Sequence, residues 1–161
     1  MEKCNKCKFG GDLLNGEPKY VPGQGNPNAD IMVISDYPDK LASYCHEPFK
    51  DEAAAAIDWM LYYYGVIDRN VSKHKSLNQW RPNKKRYQKV YYTTALKCFP
   101  SIQKNLTSGN IDAYARNACR KHHFREEMNR VKPKFILAIG NESLKMLRND
   151  HKASATDNRG F

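Results

Sequence analysis

No run in the 161 residues approaches the roughly 20 consecutive apolar positions of a membrane-spanning helix. The opening Met-Glu-Lys-Cys-Asn-Lys-Cys lacks the apolar core of a secretory leader, so the sequence reads as a cytosolic protein. Acids are scarce: 17 Asp and Glu stand against 27 Lys and Arg, a net charge of +10. That surplus calls for a polyanionic partner, most commonly nucleic acid. The rival is an anionic membrane surface, and no long basic amphipathic helix supports it. Five cysteines, an odd number, cannot close a disulfide framework, and in a reducing compartment metal ligation is their leading use. Neither an internal repeat nor a linker divides the chain, and 40% apolar content argues against disorder. The reading is one domain over 1–161, long enough to bury a substantial core.

The stretch that organises the rest is Val21 to Pro38, a glycine-rich segment followed by the apolar run Ile31–Ile34 and the polar turn Ser35-Asp36-Tyr37-Pro38. A short apolar run bounded by turn signals reads as a strand buried on both faces. Ligands of open α/β sheets gather beyond the carboxyl ends of such strands, which makes Asp36 the first candidate for chemistry. Taken alone, these residues fit an ordinary strand-ending Asx turn better.

Residues 39–51 read as an irregular loop. A helix from Glu52 to Tyr64 follows, with Asp51 as its cap, Gly65 as its stop, and Ile57, Met60, Leu61 and Tyr64 as its core face. Residues 68–89 alternate cations with Trp80 and Tyr87, and Arg81, Lys84, Lys85 and Arg86 form their densest part. Single-stranded or distorted nucleic acid suits such a loop, and a merely solvated charged loop weighs equally. Val90–Leu96 reads as a second strand, Ile111–Val131 as a helix stopped by Pro133, Phe135–Ile139 as a third buried strand, and Asn141–Leu147 as a short helix. This alternation predicts an α/β fold: a three-layer α/β/α sandwich around a short parallel sheet.

Cys4 and Cys7, at C-x-x-C spacing, group with Cys98 after the second strand and Cys119 within the long helix. Four thiolates suit zinc or an iron–sulfur cluster, and the spacing does not choose between them. Cys98 and Cys119 read equally well as small buried hydrophobes, and Cys45 as a spectator.

The order of these features resembles the iron–sulfur uracil-DNA glycosylases of the family-four type. The shared series is C-x-x-C, V-x-G-x-G before a buried strand, a proline turn, Pro48-Phe49 before an alanine-rich helix, Lys97-Cys98-Phe99-Pro100, the helical cysteine, K-P-K-F-I-L-A-I-G and the closing Arg159-Gly160. The resemblance spans nearly the whole chain. It implies the uracil-DNA glycosylase fold, DNA as partner, and a [4Fe–4S] cluster of structural role on Cys4, Cys7, Cys98 and Cys119, with zinc as the alternative occupant. It places Asp36 where the family's G-E-A-P-G turn carries a glutamate near the scissile sugar. It makes Phe49 the residue that stacks on an extruded base.

Two departures shape the expected activity. Where the family reads uracil's edge with the asparagine of T-N-x-x-K-C, this chain has Thr94, whose single hydroxyl cannot make a paired amide contact. Tyr37 replaces an alanine and reshapes the same pocket. Both alter uracil selectivity. In the family, R-G leads into a last strand and an H-P-S loop whose histidine steadies the departing base, and no motif gives that role to His122, His123 or His151. Two expectations follow. One is a uracil-DNA glycosylase-like domain, shortened at its C-terminal end, that hydrolyses the N-glycosidic bond of uracil or a modified uracil. It would form part of a longer polypeptide of the kind found at the N-terminus of some phage DNA polymerases. The other is a catalytically degenerate module that grips DNA in replication or repair. A zinc-stapled protein without a DNA role would leave the basic surplus unexplained.

Overall fold

A computed structural model describes residues 4, 6–7, 9–10, 13–14, 17–18, 20–50, 52–67, 87–100 and 111–157. The elements are β1 (Leu13–Leu14), β2 (Glu17–Pro18), β3 (Gln24–Gly25), β4 (Ile31–Ser35), α1 (Lys40–Cys45), α2 (Glu52–Tyr63), β5 (Val90–Thr94), α3 (Ala113–Cys119), α4 (Arg125–Val131), β6 (Phe135–Ile139) and α5 (Asn141–Arg148). β1 and β2 form a separate antiparallel ribbon, and the main sheet runs β3-β5-β4-β6. β4 pairs in parallel with β5 (Ser35 opposite Thr94) and with β6 (Ser35 opposite Ile139), so three strands end at one level.

Alternation across β4 and β5 decides which helix covers which face. Met32, Ile34 and Tyr91 pack with Cys119, Phe124, Val131 and Met146, placing α3, α4 and α5 on one side. Val33, Val90 and Tyr92 pack with Ala54, Ile57 and Leu61, placing α2 on the other. The three layers follow the sequence reading, with the corrections below.

The sheet is mixed, because the two-residue β3 pairs antiparallel to β5. The loop over 39–51 contains α1, started by Asp39, whose side chain accepts from the Ala42 backbone N–H, and ended by His46 in the left-handed region. The long helix starts at Ala113 and is broken by a π-helical turn over Arg120–Phe124, directly after Cys119. β6 is an edge strand with Phe135 68% exposed, not a buried one. In α2 the face is reassigned: Ile57 and Leu61 are buried with Ala54 and Ala55, whereas Met60 and Tyr64 face solvent. The proposed cap Asp51 lies outside the described residues. No helix among the described residues is long and apolar enough to cross a membrane.

Candidate active site

The carboxyl ends of β4, β5 and β6 open on one cavity of about 270 Å3, lined by Asp36, Tyr37, Phe49, Lys50, Thr94 and Gly140 among others. Its geometry follows from strand pairing continued past the strand ends. The Ala95 N–H donates to the Ser35 carbonyl (2.8 Å) and the Leu96 N–H to the Asp36 carbonyl (2.9 Å), which brings Thr94 beside the Asp36 turn. All four residues assigned to the site from sequence, Asp36, Tyr37, Phe49 and Thr94, lie on this one wall.

Asp36 reaches across to α5. Its Oδ1 accepts from the Ser143 backbone N–H at 2.9 Å, so a turn residue of β4 caps a helix 107 positions later. Gly140, at φ +101°, turns the chain out of β6, and a Cβ there would lie 2.4 Å from the Asp36 carboxylate. Only glycine allows that approach. Burial pushes the Asp36 carboxyl above its ordinary range, the Ser143 N–H opposes this, and the charge of Glu142 adds to it. Glu142 is itself fixed by Arg116 (2.7 Å) and Lys145 (3.0 Å). Tyr37 is half-buried, its phenol raised by burial and by the neighbouring Asp36.

Phe49 is buried in the left-handed region at φ +59°, a conformation a bulky residue adopts only when its surroundings hold it there. The holder is Tyr92, which meets Phe49 edge-on at 5.5 Å and anchors its own hydroxyl on Asp58 at 2.9 Å. Thr94 is buried, and among the described residues its Oγ1 has no hydrogen-bond partner. A hydroxyl so placed costs free energy until something donates to it or accepts from it. Lys50, at the cavity wall and ion-paired with Glu47 at 2.5 Å, is a cation that sequence reading did not single out. Ser143, Gly140 and Glu142 were missed too, because they belong to a strand–helix junction remote in sequence.

A buried polar network lies at the same end of β5 but on its other face, toward α4. Lys97 Nζ donates to Glu127 Oε2 at 2.6 Å and to Thr93 Oγ1, Thr93 Oγ1 donates to Glu127 Oε2 at 2.6 Å, and the Gly23 N–H donates to Glu127 Oε1 at 3.1 Å. Burial alone would raise the Glu127 carboxyl, but Lys97 overrides it and holds the group below its ordinary range.

The four cysteines assigned as ligands converge around Phe9 and Tyr20. Tyr20 bridges to Cys98 across a short antiparallel contact, and Cys98 packs with Phe9, Ala115, Cys7 and Tyr20. The Cys119 thiol donates to Cys7, drawing the Cys7 thiol down to about 6, and the backbone N–H groups of Phe9 and Gly10 also point at that sulfur. Cys119 is pushed up by the same contact and by burial. Cys4 Sγ lies 3.1 Å from His123 Nε2, so His123 turns partly inward, whereas His122 is exposed. A Cβ on Gly10 would strike the Cys4 carbonyl at 2.1 Å. Four soft sulfur donors, with backbone and imidazole N–H groups beside them, fit a soft metal centre chemically. Among the described residues no three His, Cys, Asp or Glu groups close on one point as a single-ion site requires. Cys45 is exposed and apart from the set. Arg81, Lys84, Lys85 and Arg86 lie outside the described residues.

Residues 22–159 match the family profile described as the uracil DNA glycosylase superfamily. Two curated relatives, each named a type-4 uracil-DNA glycosylase, are similar to this chain. The one from Archaeoglobus fulgidus is 26% identical over 137 residues, 85% of this chain and 54% of the relative. The one from Sulfurisphaera tokodaii is 24% identical over 144 residues, 89% of this chain and 53% of the relative. The chain therefore spans about half the length of the curated relatives it matches. With the profile match covering most of its length, the chain belongs to the uracil DNA glycosylase superfamily.

Proposed function

We propose that the chain binds DNA and hydrolyses the N-glycosidic bond of an extruded uracil or modified uracil. The observation that carries this reading is the single cavity at the carboxyl ends of three parallel strands, where Asp36, Phe49 and Thr94 meet. A flipped base enters beside Phe49, and Thr94 Oγ1 gains the partner it lacks from the base's polar edge. Asp36 orients a water and takes its proton as the water oxygen bonds to C1′. The electron pair of the C–N bond leaves with the base, which is then protonated from solvent. A carboxyl raised by burial is a better base than an exposed one. Lys50 stands where it offsets the charge of a sugar-phosphate.

Cys4, Cys7, Cys98 and Cys119 would hold a [4Fe–4S] cluster. Bound there, it would cross-link the N-terminal segment, the end of β5 and α3. Arg81, Lys84, Lys85 and Arg86 supply phosphate contacts in this reading.

The test is cleavage of uracil-containing and 5-substituted-uracil oligonucleotides, single- and double-stranded, by anaerobically purified protein. Iron content and visible absorption would be measured first. Abasic sites that form with the wild-type chain and vanish with Asp36→Asn support the reading. One observation favours the second reading, a DNA-binding module without hydrolysis: the Asp36 carboxylate is already occupied by the N-terminus of α5. Cluster-loaded protein that binds these oligonucleotides and releases no base would establish it.

A further inference from the structure

A helix with one buried face normally turns charge to water on the other. α2 does not. Ala56, Trp59, Met60, Tyr63 and Tyr64 recur at helical spacing, and all five face solvent. Trp59 is 55% exposed, Tyr63 67% and Tyr64 78%. The rings are ordered among themselves: Trp59 and Tyr63 stack with centroids 5.4 Å apart at 20°, and Tyr64 meets Tyr63 at 90°. The opposite face of the same helix is committed, with Ala54, Ile57 and Leu61 in the core and Ile57 at the cavity wall. The outward aromatics are therefore surplus to folding.

We propose that this stripe is a stacking platform for the bases of single-stranded DNA, a second contact surface apart from the cavity. Chemistry and charge select that occupant. Flat rings with polar handles suit nucleobases, which offer a π-face whatever their identity. An apolar partner protein would be drawn better by branched aliphatic side chains, and the stripe contains none. The partner must also match a chain of net charge +10, whose sequence from Arg69 to Lys89, beginning five positions beyond Tyr64, contains no acid. Phosphates joined to stacking bases meet both requirements in one molecule. The platform holds any single strand, whether or not it contains a hydrolysable base.

The chain has two tryptophans, so a Trp80→Phe background leaves Trp59 as the sole indole reporter. Titrating that variant, at fixed metal content, with oligodeoxyadenylate, which offers the cavity neither uracil nor a 5-substituted uracil, is expected to quench its fluorescence. Inorganic polyphosphate, a polyanion without bases, leaves it unchanged. Read by the anisotropy of a dye-labelled oligonucleotide, which needs no indole, Trp59→Ala and Tyr63→Ala each weaken binding about tenfold, and Tyr63→Phe restores it. The slope of log affinity against log salt stays the same, because stacking releases no counterions. Tyr64→Ala, at the most exposed ring, serves if either variant loses its thermal transition. Unchanged affinity in these variants overturns the proposal. So does a reduced salt slope, or sedimentation showing that the same substitutions only convert a dimer of this chain to monomer. No hydrolysis is read, so an inactive enzyme with an intact platform and an active enzyme without one give different results.

Discussion

Asp36 carries two duties that a single substitution separates. An asparagine keeps an oxygen for the Ser143 N–H but no longer accepts a proton. Asp36→Asn is therefore expected to lose roughly 10²-fold or more of any base-releasing activity while keeping the fold. Its stability has a definite pH sign. A carboxyl raised in the folded state favours folding below its unfolded value and loses that contribution as pH rises through the folded one. Asp36→Asn should thus melt higher than wild type at neutral pH, with the gap closing as pH falls into the carboxylate range. Calorimetry across that range decides it. Thr94 is the converse case. Replacing its orphaned hydroxyl by the isosteric Thr94→Val should stabilise the chain by about 1 kcal/mol, or about 2–4 °C in Tm, and remove one contact to the bound base. A lower Tm would mean that the hydroxyl has a partner. At this scale one rule, that ligands gather just past a buried strand end, pointed to Asp36, whereas Tyr37, Phe49 and Thr94 came from the family resemblance. The sequence was silent on Ser143 and Gly140, because nothing local marks a helix N-terminus as the partner of a carboxylate 107 positions earlier.

Among the elements, β4, β5, β6 and α5 were legible because each is a short, uniform pattern between punctuating residues. α1 and β3 were not: six and two residues are too few to show a period, and only Asp39 announced the first. The misread face of α2 has a plain cause. Ala, Trp, Met, Leu and Tyr surround the helix, so periodicity alone cannot say which side is inside. The α3–α4 region also hid its chief interaction, the Lys97–Glu127 pair, since neither residue resembles core in sequence. That pair predicts the stability of the β5–α4 contact. Glu127→Gln leaves a buried ammonium without its counter-charge and should cost about 3–5 kcal/mol by urea unfolding. The carboxylate's contribution is present above its unfolded value and lost as pH falls through the lowered folded one. The acid limb of the stability curve should therefore flatten in the variant.

For the molecule as a whole, layering was legible from the alternation of strand and helix patterns, and family from the order of motifs, which no single motif could have supplied. The sheet order was not, because hydrophobic runs do not say which strand is central. The consequence is an uncharged edge: Phe135, Ile136 and Leu137 of β6 are exposed, and among the described residues no strand pairs beyond β6. Phe135→Lys is expected to raise the concentration at which the chain begins to self-associate, read by light scattering, while changing stability by no more than about 0.5 kcal/mol.

The long reach from Asp36 to Ser143 also sets a schedule. A ribosome adds roughly 5–20 residues per second, so the 107 positions between them separate the two by roughly 5–20 seconds of synthesis. Through that interval Asp36, and later Phe49 and Thr94, have emerged while the helix end that orients the carboxylate does not yet exist. Translation thus delivers the parts of the cavity early and its alignment last. A nascent chain halted before Asn141 would carry the residues of the site without the site.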